Sequence, residues 1–212
     1  MSNRYWIIVA AVAVAAAGAG AYLAHLGRNS DAPALESGTF LPAPKVLEDF
    51  SLVDTSGAPA TLAALRGHPT LVFFGFTHCP DVCPTTLAIL ADVQRQVIPQ
   101  DAKLAGLKVA LISVDPERDT PAQLGSYIAS FGGDLIGLTG NAPEIVNVMR
   151  SFGVASSKVD LGGGNYTMDH SATIFALDSG GRVVAVFTPP FRAAALRADV
   201  VRLAPALAGG RS

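Results

Sequence analysis

The sequence predicts an α/β domain on a central mixed sheet, carried behind one N-terminal membrane-spanning helix. Two continuous apolar, β-prone runs, "TLVFFGF" (70–76) and "LKVALISVD" (107–115), have the character of strands buried on both faces. Each is followed by helical periodicity, the arrangement of βαβ units. Ahead of them, the 19 residues from Trp6 to Ala24 carry no charge. As a helix they extend about 28 Å, close to the roughly 30 Å hydrocarbon core of a bilayer.

The elements follow in chain order. Tyr5, Trp6 and Tyr22 flank the apolar run, where amphipathic rings favour the headgroup level. Arg4 precedes it, and Arg28 is offset by Asp31 and Glu36, a bias that keeps the N-terminus inside and exports the rest. A cleavable signal peptide is the competing reading, but the run exceeds the usual 7–15-residue apolar core. Residues 1–28 are therefore read as anchor, 29–45 as a Pro/Ser/Gly/Ala-rich linker and 46–208 as one domain. "FSLVDTSGAPATL" suggests a short hairpin. Leu87, Leu90, Ala91 and Val93 recur at helical spacing after the first buried strand. Thr120 is a good helix cap and Pro121 a good first residue for the next helix. A short strand "DLIGLTG", a helix "APEIVNVMRSF" and a flexible loop "LGGGNYTMD" come next. "SATIFAL", "DSGG" and "RVVAVF" form a second hairpin, and a helix closes the chain, which is the thioredoxin-like order.

Net charge is −2 with no basic run, so nucleic acid is not an expected partner. The chain has two cysteines, Cys79 and Cys83, with three residues between them in "GFTHCPDVCPTTL". A structural disulfide, a redox couple and a soft-metal site all fit two thiols just past a central strand, where open α/β sheets place their sites. A disulfide closing so small a loop contributes only about 2 kcal/mol of chain entropy. A thioredoxin-type motif has two intervening residues. Peroxidase chemistry wants a threonine where Phe76 stands, and a binuclear copper electron-transfer centre wants histidine and methionine where Leu87 and Leu90 stand. Pro80 suits a first helical position with Cys79 as its cap, and Pro84 predicts a break before the main helix. Such a helix start is expected to lower the cysteine pKa.

Two cysteines hold a soft metal only with a further ligand. His25 ends the apolar run, His68 sits in a turn, and His78 points away from Cys79 in extended chain. His170 remains, between Asp169 and Ser171, which can orient its ring; a lone histidine at a strand start is also commonly structural. Met168 is a soft side chain that more simply packs the loop.

Taken together and in order, "GFTHCPDVCPTTL", "SVDPERDTP" and "YTMDHSA" resemble the Sco/SenC family over about residues 42–206. The resemblance implies a membrane-anchored copper chaperone for cytochrome c oxidase assembly, on the exported side of the membrane (the periplasm of a bacterium). It implies one copper ion, Cu(I) or Cu(II), held by Cys79, Cys83 and His170 and passed to the oxidase's copper-binding subunit. A thiol reductant or upstream copper donor would serve it, and it would not be a turnover enzyme. Thiol–disulfide exchange on that subunit, with Cys79 and Cys83 as redox pair, and a copper or redox sensor are the alternatives. On this reading the Gly162–Gly163–Gly164 loop swings His170 onto the metal.

Overall fold

A computed structural model describes Trp6, residues 12–20 and residues 33–209. The chain divides into two compact units, Met1–Pro33 and Ala34–Ser212. In the first, residues 12–20 are helical. The rest of the apolar run, apart from Trp6, and His25 with it, lies outside the described residues. Among the described residues no helix is long and apolar enough to cross a membrane, so the expected transmembrane helix is not found there.

The second unit contains ten strands: β1 (Gly38–Lys45), β2 (Leu52–Asp54), β3 (Pro59–Ala60), β4 (Thr70–Gly75), β5 (Lys108–Ser113), β6 (Leu135–Thr139), β7 (Ser156–Gly162), β8 (Asn165–His170), β9 (Ile174–Leu177) and β10 (Val183–Phe187). Its α-helices are α1 (Val82–Val97), α2 (Pro121–Ala129), α3 (Ala142–Phe152) and α4 (Ala193–Leu207). Eight strands form one sheet in the order β1-β10-β9-β4-β5-β6-β2-β3. β4, β5 and β6 are parallel, while β9, β10, β1, β2 and β3 join antiparallel. This is the mixed sheet expected from alternating βα units followed by a closing hairpin and helix.

β4 is buried at every position, as its unbroken apolar run requires. Its side chains alternate between two faces. Phe74 packs edge-on against Phe152 of α3 and Phe175 of β9, at centroid distances of 5.1 and 6.0 Å. Phe73 lies on the opposite face. α1 and α4 pack on each other. Thr120 caps α2 in a reciprocal capping box with Gln123, and Gly153 ends α3 in the left-handed conformation, φ +83°.

Three local expectations are corrected. Residues 38–45, read as linker, form β1 at the sheet edge. "LGGGNYTMD" is not a loose loop but the turn and second strand of the β7–β8 hairpin, with Gly162, Gly163 and Gly164 at φ +83°, +63° and +81°. α1 begins at Val82 and runs through Pro84, whose missing N–H would be unpaired in a first turn anyway.

The segment before β1 is fixed by the buried carboxylate of Asp199 in α4. It accepts from the amides of Glu36, Ser37 and Gly38 and from the Ser37 hydroxyl at 2.7–3.2 Å, and from Arg202 at 3.1 Å. Burial pushes this carboxyl up, but the amides, the hydroxyl and the guanidinium outweigh it and hold the pKa below its ordinary value. Asp199→Ala is expected to lose about 2–3 kcal/mol at neutral pH, because buried donors are left unpaired. The wild-type contribution is present above the unfolded carboxyl pKa of about 3.9 and fades as pH falls through the lower folded value. Urea unfolding should therefore show the gap between variant and wild type narrowing in acid.

Candidate metal centre

β4 delivers "FTHC" just beyond its C-terminal end, beside the parallel end of β5 (the Val114 amide still bonds the Gly75 carbonyl at 2.9 Å). Gly75 makes room there: a Cβ on it would lie 3.1 Å from Cys83 Sγ and 3.0 Å from the Phe73 ring. The Cys79 amide bonds the Phe76 carbonyl at 3.3 Å and closes a turn. Asp81, the residue before α1, makes no side-chain capping bond. Instead the Cys83 amide, second in the helix, donates to Cys79 Sγ at 3.3 Å. Cys79 therefore meets the helix start through its sulfur; the residue before the helix is Asp81, and Pro80 is not its first residue.

Both cysteines are free thiols, Cys83 buried and Cys79 half-buried. The expected lowering of pKa is not seen at Cys83. Burial pushes its thiol well above the usual range, the neighbouring Cys79 thiol adds to this, and the Phe76 amide pulls only partway back. The two thiols also bear on the Tyr127 phenol of α2, raised first by burial and then by Cys83 and Cys79. Its buried hydroxyl has no hydrogen-bond partner among the described residues.

His170 closes β8 and reaches the same place from the other side. Its Nε2 lies 3.7 Å from Cys83 Sγ, across 87 residues of sequence. Two ligands of one ion, at about 2.3 Å for sulfur and about 2.0 Å for nitrogen, stand roughly 3.5–3.7 Å apart at 110–120°. The pair thus has the separation of co-ligands. Phe73 and Phe76 wall the ring edge-on at 6.1 and 5.9 Å. Burial lowers the His170 pKa, against the Ser171 carbonyl and the Asp169 charge, and so favours the neutral imidazole that binds metals. With Nδ1 donating to the Ser171 carbonyl at 3.3 Å, the Nε2 lone pair is left facing Cys83.

Among the described residues no group of three or more His, Cys, Asp or Glu is already drawn together as a metal site. Cys83 and His170 have converged, while the Cys79 sulfur is engaged with the helix amide. His78 is exposed and bonds Thr77, and His68 bonds Thr70. Met168 packs against the core. The glycines at the hairpin turn lie at the far end of β8 from His170, which pairs with Ser156 at the hairpin base. A swing of those glycines is therefore not what brings the imidazole to Cys83.

The loop "DPERDTP" is a part of the site that the sequence expectations do not include. Asp119, buried, accepts from the Thr77 hydroxyl at 2.6 Å, the Thr77 amide at 3.1 Å and the Ser113 hydroxyl at 2.6 Å, which fixes the turn leading to Cys79. Asp115 accepts from the Tyr166 phenol at 2.9 Å and from Arg118. Carboxylates directly after a buried strand were the available signal.

The SCO1/SenC family model matches residues 40–205. The chain is 42% identical over 134 residues to the mitochondrial SCO2 homolog of Bos taurus, covering 63% of this chain and 50% of that protein. It is 39% identical over 145 residues to the SCO2-like protein RP587 of Rickettsia prowazekii (strain Madrid E), covering 68% and 69%. It thus spans about half the length of the vertebrate relatives it matches. The structure of Bradyrhizobium japonicum ScoI with copper bound superposes with a TM-score of 0.65 at 42% identity, over 74% of this chain and 98% of that one. Arabidopsis thaliana ScoI with copper bound gives 0.71 at 34% identity, over 74% and 96%. With a family model matched from β1 to the closing helix, the chain belongs to the SCO1/SenC family.

Proposed function

We propose that this chain is a copper metallochaperone that holds one copper ion through Cys79, Cys83 and His170. It passes the ion, Cu(I) or Cu(II), to the copper-binding subunit of a cytochrome c oxidase during assembly, and it is not a turnover enzyme. The approach of His170 Nε2 to Cys83 Sγ at 3.7 Å carries the reading. Two thiolates and an imidazole are the soft, mixed set that suits copper, and copper is the metal bound in the related plant and bacterial structures. The uncharged run 6–24 supports anchoring of residues 1–28 in a membrane, with the domain on the exported side. In that oxidising compartment a thiol reductant or an upstream copper donor must keep the cysteines competent.

The chemistry follows from the protonation states. Burial keeps the Cys83 thiol protonated without metal, so uptake releases a proton, and affinity rises with pH. The imidazole is already neutral and needs no such exchange. Copper titration of the reduced full chain should saturate at one ion. His170→Ala should weaken Cu(II) binding by at least the roughly 10–100-fold that loss of a group merely orienting a ligand costs, and Cu(I) binding less, because the thiolates dominate for the softer ion. A His170→Ala chain that holds Cu(II) as tightly as wild type overturns the ligand assignment.

A second reading, thiol–disulfide exchange, draws on one observation: half-buried Cys79 stands in front of buried Cys83. That is the disposition of an attacking thiol and a resolving one. Limited alkylation of the reduced, metal-free chain with iodoacetamide should label Cys79 well before Cys83, as peptide mapping would read. Oxidation to the Cys79–Cys83 disulfide should abolish copper uptake, since both thiolates are consumed. Undiminished uptake by the oxidised chain would remove the cysteines from the copper reading and leave exchange as their role.

A further inference from the structure

The β7–β8 hairpin pairs with no strand of the eight-stranded sheet. An isolated two-stranded hairpin is marginal in water, so the place of His170 is set by what holds the hairpin to the body. On β8 the residues Tyr166, Met168 and His170 share one face, by the two-residue period of a strand, and Asn165 and Asp169 are exposed. Met168 meets the core and His170 meets Cys83. Tyr166 meets the loop after β5.

That last contact is the most elaborate of the three. The Tyr166 phenol donates to Asp115 Oδ1 at 2.9 Å. Arg118, bonded to Asp115 through Nε, lies over the Tyr166 ring at 3.7 Å and donates from Nη1 to the Tyr166 carbonyl at 3.0 Å. Lys158 of β7 lies over the same ring at 3.8 Å and reaches Glu117 at 2.6 Å. The Arg118 guanidinium also lies 5.8 Å from the Phe76 ring, and Phe76 is the wall of His170. One short loop thus grips both halves of the site, with Asp119 on the cysteine turn and Asp115 with Arg118 on the histidine strand.

We infer that Tyr166 and Arg118 are positioning residues for His170: by locking β8 to the residue 115–119 loop they set the imidazole's distance from Cys83 and decide whether a thiolate-bound copper gains its third ligand. The inference rests on the copper reading above. It assigns the hairpin a latch four residues from the imidazole, in place of the glycine turn. Released, the latch leaves the cysteine turn intact, because Asp119 holds that turn independently.

The test is Cu(II) titration of the reduced full chain, with the copper–sulfur charge-transfer band and electron paramagnetic resonance as readouts. Tyr166→Leu should weaken Cu(II) by about tenfold, as loss of a group that orients a ligating imidazole does. It should also move the spectrum toward that of His170→Ala, with Cu(I) affinity nearly unchanged. Tyr166→Phe, which keeps the cation stack and loses the bond to Asp115, should fall between. Arg118→Gln serves the same purpose if Tyr166→Leu does not fold by circular dichroism. In a His170→Ala background either substitution should have no further effect on Cu(II), since the residue acts through the imidazole. A wild-type spectrum and affinity in both variants, or an equal loss with and without His170, overturns the inference and leaves the copper reading standing. A wild-type chain that binds no copper overturns the reading itself.

Discussion

Between β4 and β5 the Asp119 carboxylate is out of contact with water and accepts hydrogen bonds from Ser113 and from both the amide and hydroxyl of Thr77. Burying a carboxylate is costly unless its oxygens are bonded, and bonds to a charged acceptor are stronger than neutral ones. The turn that carries Cys79 therefore cannot relax away from the strand end without exposing the cost. Its backbone carbonyl also accepts from the Thr139 hydroxyl of β6, so the grip extends across the three parallel strands. The dithiol is placed by this carboxylate and by the packing space that Gly75 leaves for the Cys83 sulfur.

The parts readable from sequence were those with local causes. β4 and β5 follow from apolar runs, and α2 from Thr120 and Pro121. β1 was hidden because "GTFLPAPK" contains Pro42 and Pro44, which look like linker chemistry; at a sheet edge prolines are tolerated, and the pairing of β1 with β10 is irregular between Phe40 and Lys45. The β7–β8 hairpin is mostly exposed and polar, so it carried no buried-strand pattern. Residue type singled out Cys79 and Cys83 and left His170 as one candidate that could equally be structural; the set of three was what the family resemblance implied. The contacts of Tyr166 with Asp115 and Arg118 span 51 and 48 residues, and nothing local announces them.

The two thiols are chemically unequal although the motif looks symmetrical. Cys83 is closed in by Phe73, Gly75 and the helix, with its proton held by burial. Cys79 is only half-buried and already uses its sulfur as an acceptor for the helix amide. Any ion or reagent arriving from solvent meets Cys79 first. In the proposed copper reading, Cys83 is the deeper ligand and gives up its proton on binding.

A hairpin outside the main sheet has a separate energetic life. Parting β8 from the loop beneath it breaks a phenol–carboxylate bond, the Arg118 contacts, the Lys158–Glu117 ion pair and some Met168 packing. It breaks no rung of the eight-stranded ladder. Such an opening belongs to the low-energy local fluctuations of a folded chain, well short of global unfolding. Under the proposed carrier function this separates two requirements that would otherwise compete: the domain stays as stable as its core makes it, while the cost of releasing a bound ion would be set by a handful of contacts on one projecting strand.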